Sequence, residues 1–156
     1  MERYALLGWP VKHSVSPQMQ GAGFQALGLA ATYELIEVSP ERLPECVARL
    51  VGAGYAGWNA TVPHKEQMAT LVQDLDPGAA AAGSVNTVVN AGGRLKGYST
   101  DGYGLEQAVA ESFALAVRGS RFLFLGVGGA ARATAVHFAA SQAVEITLVN
   151  RTLSKA

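Results

Sequence analysis

The chain has 156 residues, and its 12 basic and 12 acidic side chains cancel to a formal net charge of zero, with a pI near 6.8. That balance, with no basic stripe, argues against nucleic acid or an anionic membrane as the main partner. Hydrophobic residues make up 49%, enough for a packed core, and the single cysteine, Cys46, excludes an intrachain disulfide and a cysteine-based zinc site. No charged segment with an apolar core opens the chain, and no apolar run approaches ~20 residues, so a soluble, cytoplasmic protein is the expectation.

Arg3 to Gly8 (RYALLG) reads as a first buried strand. A loop follows, and a helix is predicted over Pro17 to Leu29 with Ser16 as a plausible N-cap. Thr32 to Val38 alternates like a strand, and Pro40 to Val51 carries Leu43, Val47, Leu50 and Val51 at helical spacing. Tyr55 to Asn59 reads as a third strand and Pro63 to Leu71 as a third helix, with Pro63 suited to the first helical position. Strands separated by helices imply parallel pairing. The alanine tract from Ala79 to Ala82 reads as helix. Ser84 to Asn90 and Arg94 to Tyr98, joined through Ala91-Gly92-Gly93, look like a hairpin, and Asp101-Gly102 opens a helix to about Phe113. Arg121 to Gly126 (RFLFLG) is nearly all apolar, as a strand buried on both faces should be. A helix from Ala133 to Ala140 and a strand from Glu145 to Asn150 complete the pattern. The fold class is therefore α/β: a first α/β domain with a mostly parallel sheet, then a Rossmann-type segment. The expected division is 1–101, a connecting helix over 102–118, and 119–156.

Chemistry concentrates in Asn59-Ala60-Thr61-Val62-Pro63-His64-Lys65. Asn59 and Thr61, two apart on an extended segment, point the same way. Lys65 falls in a first helical turn, where the macrodipole disfavours a cation and so favours loss of its proton. That makes it a candidate general base. Asp101, at another helix start, is either a cap or a partner that holds and orients the lysine. His64 is expected to be solvent-exposed or structural. Ser14 and Ser16 place two hydroxyls on one side of a loop and can hold a carboxylate, although Ser16 could equally just cap its helix. Asn86, set in an apolar strand, must find polar partners. His13 and His137 have no metal-ligand spacing with any Cys, Asp or Glu, and no metal is expected.

Gly126-x-Gly128-x-x-Ala131, after a strand and opening a helix, is the dinucleotide fingerprint in its alanine-ended form. The first glycine makes the turn, the second lets backbone approach a pyrophosphate, and the small third residue allows close packing. At the end of the following strand an NAD site usually carries an acidic residue for the ribose. This chain has Asn150-Arg151-Thr152, a guanidinium and a hydroxyl suited to a 2′-phosphate, which favours NADP.

Taken in order, Ser14-x-Ser16, Asn59-x-Thr61-x-Pro63-His64-Lys65, Gly83-Ser84-Val85-Asn86-Thr87, Ser99-Thr100-Asp101-Gly102 and Gly126-x-Gly128-Gly129-Ala130-x-Arg132 closely resemble the shikimate dehydrogenase family, from about Tyr4 to Lys155. The resemblance implies an NADP-dependent oxidoreductase of aromatic amino acid biosynthesis that interconverts 3-dehydroshikimate and shikimate. It implies Ser14 and Ser16 on the substrate carboxylate and Asn59, Thr61, Asn86 and Asp101 on ring hydroxyls, with Lys65 and Asp101 as catalytic pair. For the cofactor it implies Gly126, Val127, Gly128, Gly129 and Ala130 at the pyrophosphate, and Asn150, Arg151, Thr152 and Lys155 at the 2′-phosphate. The expected partner is the small substrate, without nucleic acid or membrane, and a homodimer is left open.

Family members continue well past this point, so the chain is expected to be partial, with one βαβ unit of a Rossmann half that needs βαβαβ. Its second half is expected to leave apolar surface wet and to be mobile or aggregation-prone alone, with poor NADP binding and little or no turnover. The alternatives are a quinate/shikimate dehydrogenase using NAD, which should carry an acidic residue near Arg151, and a non-catalytic shikimate-binding fragment. A folate-type dehydrogenase of similar plan is disfavoured by the Ser14/Ser16 pair.

Overall fold

A computed structural model describes residues 1–152. Its larger sheet has six strands in the order β2-β1-β3-β5-β6-β4, and a second sheet pairs β7 with β8. The strands are β1 (Glu2–Gly8), β2 (Ala31–Glu37), β3 (Gly57–Ala60), β4 (Asp74–Leu75), β5 (Thr87–Ala91), β6 (Arg94–Tyr98), β7 (Arg121–Leu125) and β8 (Glu145–Val149). The helices are α1 (Ser16–Ala26), α2 (Leu43–Gly52), α3 (Lys65–Leu71), α4 (Pro77–Ala82), α5 (Asp101–Phe113) and α6 (Gly129–Ala140). β1 runs parallel to β2 and β3, the β5–β6 hairpin is antiparallel to β3, and β4 runs parallel to β6. The expected mostly parallel α/β sheet is present.

Two-residue periodicity divides the central strands. Ala5 and Leu7 of β1 and Trp58 and Ala60 of β3 share a core with Leu43, Cys46, Val47 and Leu50 of α2. Those α2 positions recur at i, i+3, i+4 and i+7, the spacing that gives a helix one apolar stripe. Each large aliphatic side chain so buried contributes about 1.5–3 kcal/mol. Asn59 and Thr61 therefore fall on the opposite face, which α1 covers only partly: Phe24 meets Tyr4 at 5.5 Å between ring centroids, yet no α1 residue is fully buried.

Several boundaries differ from the sequence reading. Pro63 is not the first helical residue. It lies in a tight turn closed by His64 N–H donating to Thr61 O at 2.8 Å, and α3 begins at Lys65. Ser16 does not cap α1; it is the first helical residue, preceded by Val15, and its backbone N–H donates to Ser14 Oγ at 3.2 Å. α1 ends at Ala26, three residues early, because Gly28 adopts φ +64° and turns the chain. The hairpin starts at Thr87, after Asn86, and α6 starts at Gly129, so the dinucleotide loop is shorter than expected. The alanine tract is helical, capped by Asp76, whose carboxylate accepts from Gly78 and Ala79 N–H.

The strand expected to be buried on both faces, β7, has only one face covered. Phe122 and Phe124 pack on Phe138 of α6, with centroids at 4.5 and 6.0 Å, while Leu123 and Leu125 are 61% and 80% exposed. Between the two sheets, α5 lies along α6. His137 Nε2 and Glu106 Oε2 are 2.6 Å apart, and Ser141 Oγ donates to the same oxygen at 3.2 Å. Gly102 sits at that contact. A Cβ there would lie 2.4 Å from His137 Cβ and 3.1 Å from Ala133 O, neither of which can swing away. Gly102→Ala is expected to destabilise the protein by about 1–3 kcal/mol, as overpacking does. Thermal unfolding checks this, and an unchanged melting temperature contradicts the packing.

Candidate active site

The strands β1 and β3 deliver the chain to one end of the sheet, outside their carboxyl ends, where α/β folds bind ligands. A cavity of about 290 Å³ opens there, lined by Ser16, Tyr33, Asn59, Thr61, Lys65, Asn86 and Asp101 with Leu6, Met19, Gln20 and Ala60. Ser14 lines an adjoining hollow that shares Ser16, Thr61 and Leu6, and its Oγ is 2.9 Å from that of Ser16. The seven residues expected at a substrate thus surround two adjoining spaces.

Lys65 opens α3 and Asp101 opens α5, from opposite sides of the cavity. Nζ donates to Asp101 Oδ2 at 2.5 Å, and the two side chains are 13% and 25% exposed. The other carboxylate oxygen accepts from Asn86 Nδ2 at 2.8 Å. Asn86 is itself fixed, its Nδ2 donating to Thr100 Oγ1 at 2.9 Å and its Oδ1 accepting from Thr100 N–H at 3.0 Å. Asp101 is therefore held by one asparagine and one lysine, and does not act as a side-chain cap of its helix.

Asn59 Nδ2 donates to Thr87 Oγ1 at 2.9 Å and to Asn86 O at 3.1 Å, while its Oδ1 accepts from Tyr33 OH at 2.7 Å. Tyr33 is a site residue that sequence reasoning missed. Burial pushes its phenol up to about 12, so it stays a neutral donor throughout the physiological range. Its alternating strand offers no local sign of that role. Met19 and Gln20 were missed for the same reason, since α1 carries no distinctive pattern.

His64 is wholly buried, which corrects the solvent-exposed alternative and leaves the structural one. Nε2–H donates to Val38 O at 2.8 Å. Burial pulls its pKa below the ordinary 6.5, with the Val38 and Gly8 backbone carbonyls partly opposing. The unfolded chain therefore binds a proton here more readily than the folded one. The stability that neutral His64 supports is full above about 6.5 and is lost as pH falls from there toward the lower folded value. Replacing His64 by Gln is expected to flatten this slope between about pH 7 and 5, checked by urea unfolding across that range. A His64→Gln chain with the wild-type slope contradicts it.

The dinucleotide loop faces this site. Gly126 adopts φ +103°, where a side chain is strained, and a Cβ on Gly128 would meet nothing within 4 Å, so the space above the loop is open. A Cβ on Gly129 would come within 3.6 Å of Lys65 Cβ and 3.5 Å of Ser84 Oγ, bringing the loop against the lysine helix. A cavity of about 180 Å³ lies between Lys65 and Gly128, Gly129 and Ala130. A second, of about 320 Å³, is lined by Val127, Gly128, Asn150, Arg151 and Thr152 with Glu66 and Arg132. Open backbone over a glycine turn and two guanidiniums fit a phosphate-bearing dinucleotide. Of the expected cofactor residues, Gly126 shapes the loop without lining either cavity, and Lys155 lies outside the described residues. Among the described residues, no group of three or more His, Cys, Asp and Glu could hold a metal ion, and no helix is long and apolar enough to cross a membrane.

The chain is similar to known proteins over almost its whole length. The shikimate dehydrogenase (NADP(+)) of Geobacillus sp. (strain WCH70) is 44% identical over 153 residues, covering 98% of this chain and 55% of that protein. The namesake of Thermococcus kodakarensis is 42% identical, with the same coverage of 98% and 55%. The chain thus spans about half the length of the curated relatives it matches. A crystal structure of shikimate dehydrogenase in complex with NADP+ superposes with a TM-score of 0.92 at 35% identity, over 99% of this chain and 53% of that one. That of the Thermus thermophilus enzyme in complex with NADP(H) and shikimate gives 0.91 at 36%, over 100% and 58%. The family model for the shikimate dehydrogenase substrate binding domain matches residues 6–88, from the middle of β1 into β5. That match takes in Ser14, Ser16, Asn59, Thr61, Lys65 and Asn86 and covers more than half of the residues, so the chain belongs to the shikimate dehydrogenase family.

Proposed function

We propose that this chain carries the substrate site and a cofactor-binding segment of an NADP-dependent shikimate dehydrogenase, interconverting 3-dehydroshikimate and shikimate. Residues 1–101 form the substrate domain, 102–118 the connector, of which only the part up to Phe113 is helical, and 119–156 the NADP-binding segment. The Lys65–Asp101 pair, set in a cavity walled by Asn59, Thr61 and Asn86, carries this reading.

The hydroxyls of Ser14 and Ser16 take the substrate carboxylate, while Asn59, Thr61, Asn86 and Asp101 orient the ring hydroxyls. Hydrogen bonds between Ser14 and Ser16, from Asn59 to Thr87 and from Asn86 to Asp101 hold these groups in place before a ligand arrives, which limits the ordering cost of binding. When bound, NADPH supplies the hydride for the substrate carbonyl. Gly128, Gly129 and Ala130 support its pyrophosphate, and Asn150, Arg151 and Thr152 its 2′-phosphate. Lys65 Nζ, in its ammonium form, gives a proton to the oxygen as negative charge develops there. In the reverse direction neutral Nζ removes the hydroxyl proton. Asp101 Oδ2 fixes the position of Nζ, and Asn86 fixes Asp101.

Incubating a full-length protein that carries these residues with shikimate and NADP+, and following absorbance at the NADPH band, tests the reading; residues 1–156 alone are expected to show little or no turnover. NADPH formation that needs both compounds is the expected result. Shikimate binding with no turnover would favour a non-catalytic binding role, and turnover with NAD+ at equal efficiency would contradict the cofactor assignment.

A further inference from the structure

The substrate and cofactor segments share one ion pair close to the chemistry. Glu66 directly follows Lys65 in the first turn of α3, and Arg132 stands in the first turn of α6. Arg132 Nη2 lies 3.5 Å from Glu66 Oε1, with the two side chains 42% and 57% exposed. Both line the cavity of about 320 Å³ that also holds Asn150, Arg151 and Thr152, and Glu66 is the one carboxylate among the described residues that line it. Glu66 also lines the smaller cavity between Lys65 and the dinucleotide loop.

An ion pair this exposed contributes little by itself. A phosphate offers more charge and several strong acceptor oxygens, and a guanidinium matches it in a two-pronged contact. An anion entering this cavity meets Arg151 and, beside it, an arginine whose charge is cancelled by Glu66. We propose that Arg132 exchanges Glu66 for a phosphate of the bound dinucleotide, so that the pair sets cofactor affinity and ties cofactor arrival to the helix carrying Lys65. This rests on the dinucleotide reading above. Glu66 is then a brake on anion binding, and Arg132 a specificity residue beside Arg151.

The test uses isothermal titration of a full-length protein carrying these residues with adenosine 2′,5′-bisphosphate, ADP and 5′-AMP, which need no nicotinamide site. Glu66→Gln removes the competing charge and is expected to tighten the bisphosphate or ADP about 3- to 10-fold. Arg132→Gln is expected to weaken the same ligand about tenfold. Movement of the bisphosphate alone assigns Arg132 to the 2′-phosphate; movement of ADP assigns it to the pyrophosphate. Either variant binding both ligands as the wild type does overturns the exchange, while a wild-type preference for the bisphosphate over 5′-AMP keeps the cofactor reading intact. A wild type that binds all three alike overturns the cofactor reading, and this inference with it.

Discussion

Lys65→Ala, in the active protein, is expected to lower kcat by ~10²–10⁴ while changing shikimate affinity much less. The size follows from proton transfer. Without a positioned acid, the oxygen that receives negative charge must take its proton from water, and the contribution of a placed side chain is lost. The split between kcat and binding follows from the geometry. Lys65 Nζ is one of several polar groups lining the cavity, and Asn59 and Asn86 keep their own hydrogen bonds when it is removed. Steady-state kinetics at saturating shikimate checks this, and a fall in turnover smaller than tenfold means Lys65 is not the acid/base group. Asp101→Asn is the informative companion, since it keeps the shape beside Asn86 but removes the charge that holds Nζ.

The pairing of Lys65 with Asp101 came from the family resemblance, while the residues alone placed both near helix starts and left Asp101 open between a cap and a partner. Each does open a helix, although neither helix has a side-chain cap and the first starts two residues later than read. Asn59 and Thr61 were legible because alternation forces them to the face opposite Trp58 and Ala60. Pro63 was misread because its fixed φ suits a turn as well as a first helical residue, and the Thr61–His64 hydrogen bond selects the turn. Tyr33 was invisible because its role comes from Asn59, far away in sequence, and a strand pattern reports burial but not the partner. The Glu66–Arg132 pair was unreadable for the same reason, although Arg132 stood within the glycine motif. The apolar run of β7 gave the strand, and the single helix available to cover it gave the expected wet surface, seen at Leu123 and Leu125.

Arg151→Ala is expected to weaken NADP by roughly 10- to 150-fold, with little effect on NAD. A charge-assisted hydrogen bond contributes about 1.5–3 kcal/mol, and every 1.4 kcal/mol is tenfold in affinity. Arg151 follows β8, lines the cavity with Asn150 and Thr152, and is exposed, so truncating it removes a cation without disturbing a core. Titration of both cofactors against both chains measures the effect. An equal loss for NADP and NAD shows that Arg151 does not read the 2′-phosphate.

The cavity beside Lys65 is expected to receive a small polyhydroxy acid. Titrating shikimate into isotopically labelled protein and following backbone and side-chain amide shifts tests it without relying on cofactor or turnover. The expected result is saturable shifts gathered around Ser14, Ser16, Asn59, Thr61, Lys65, Asn86 and Asp101. Shifts confined instead to the separate hollow of about 240 Å³ lined by Trp9, Arg42, Cys46 and Arg49, or no shifts at all, would contradict the claim.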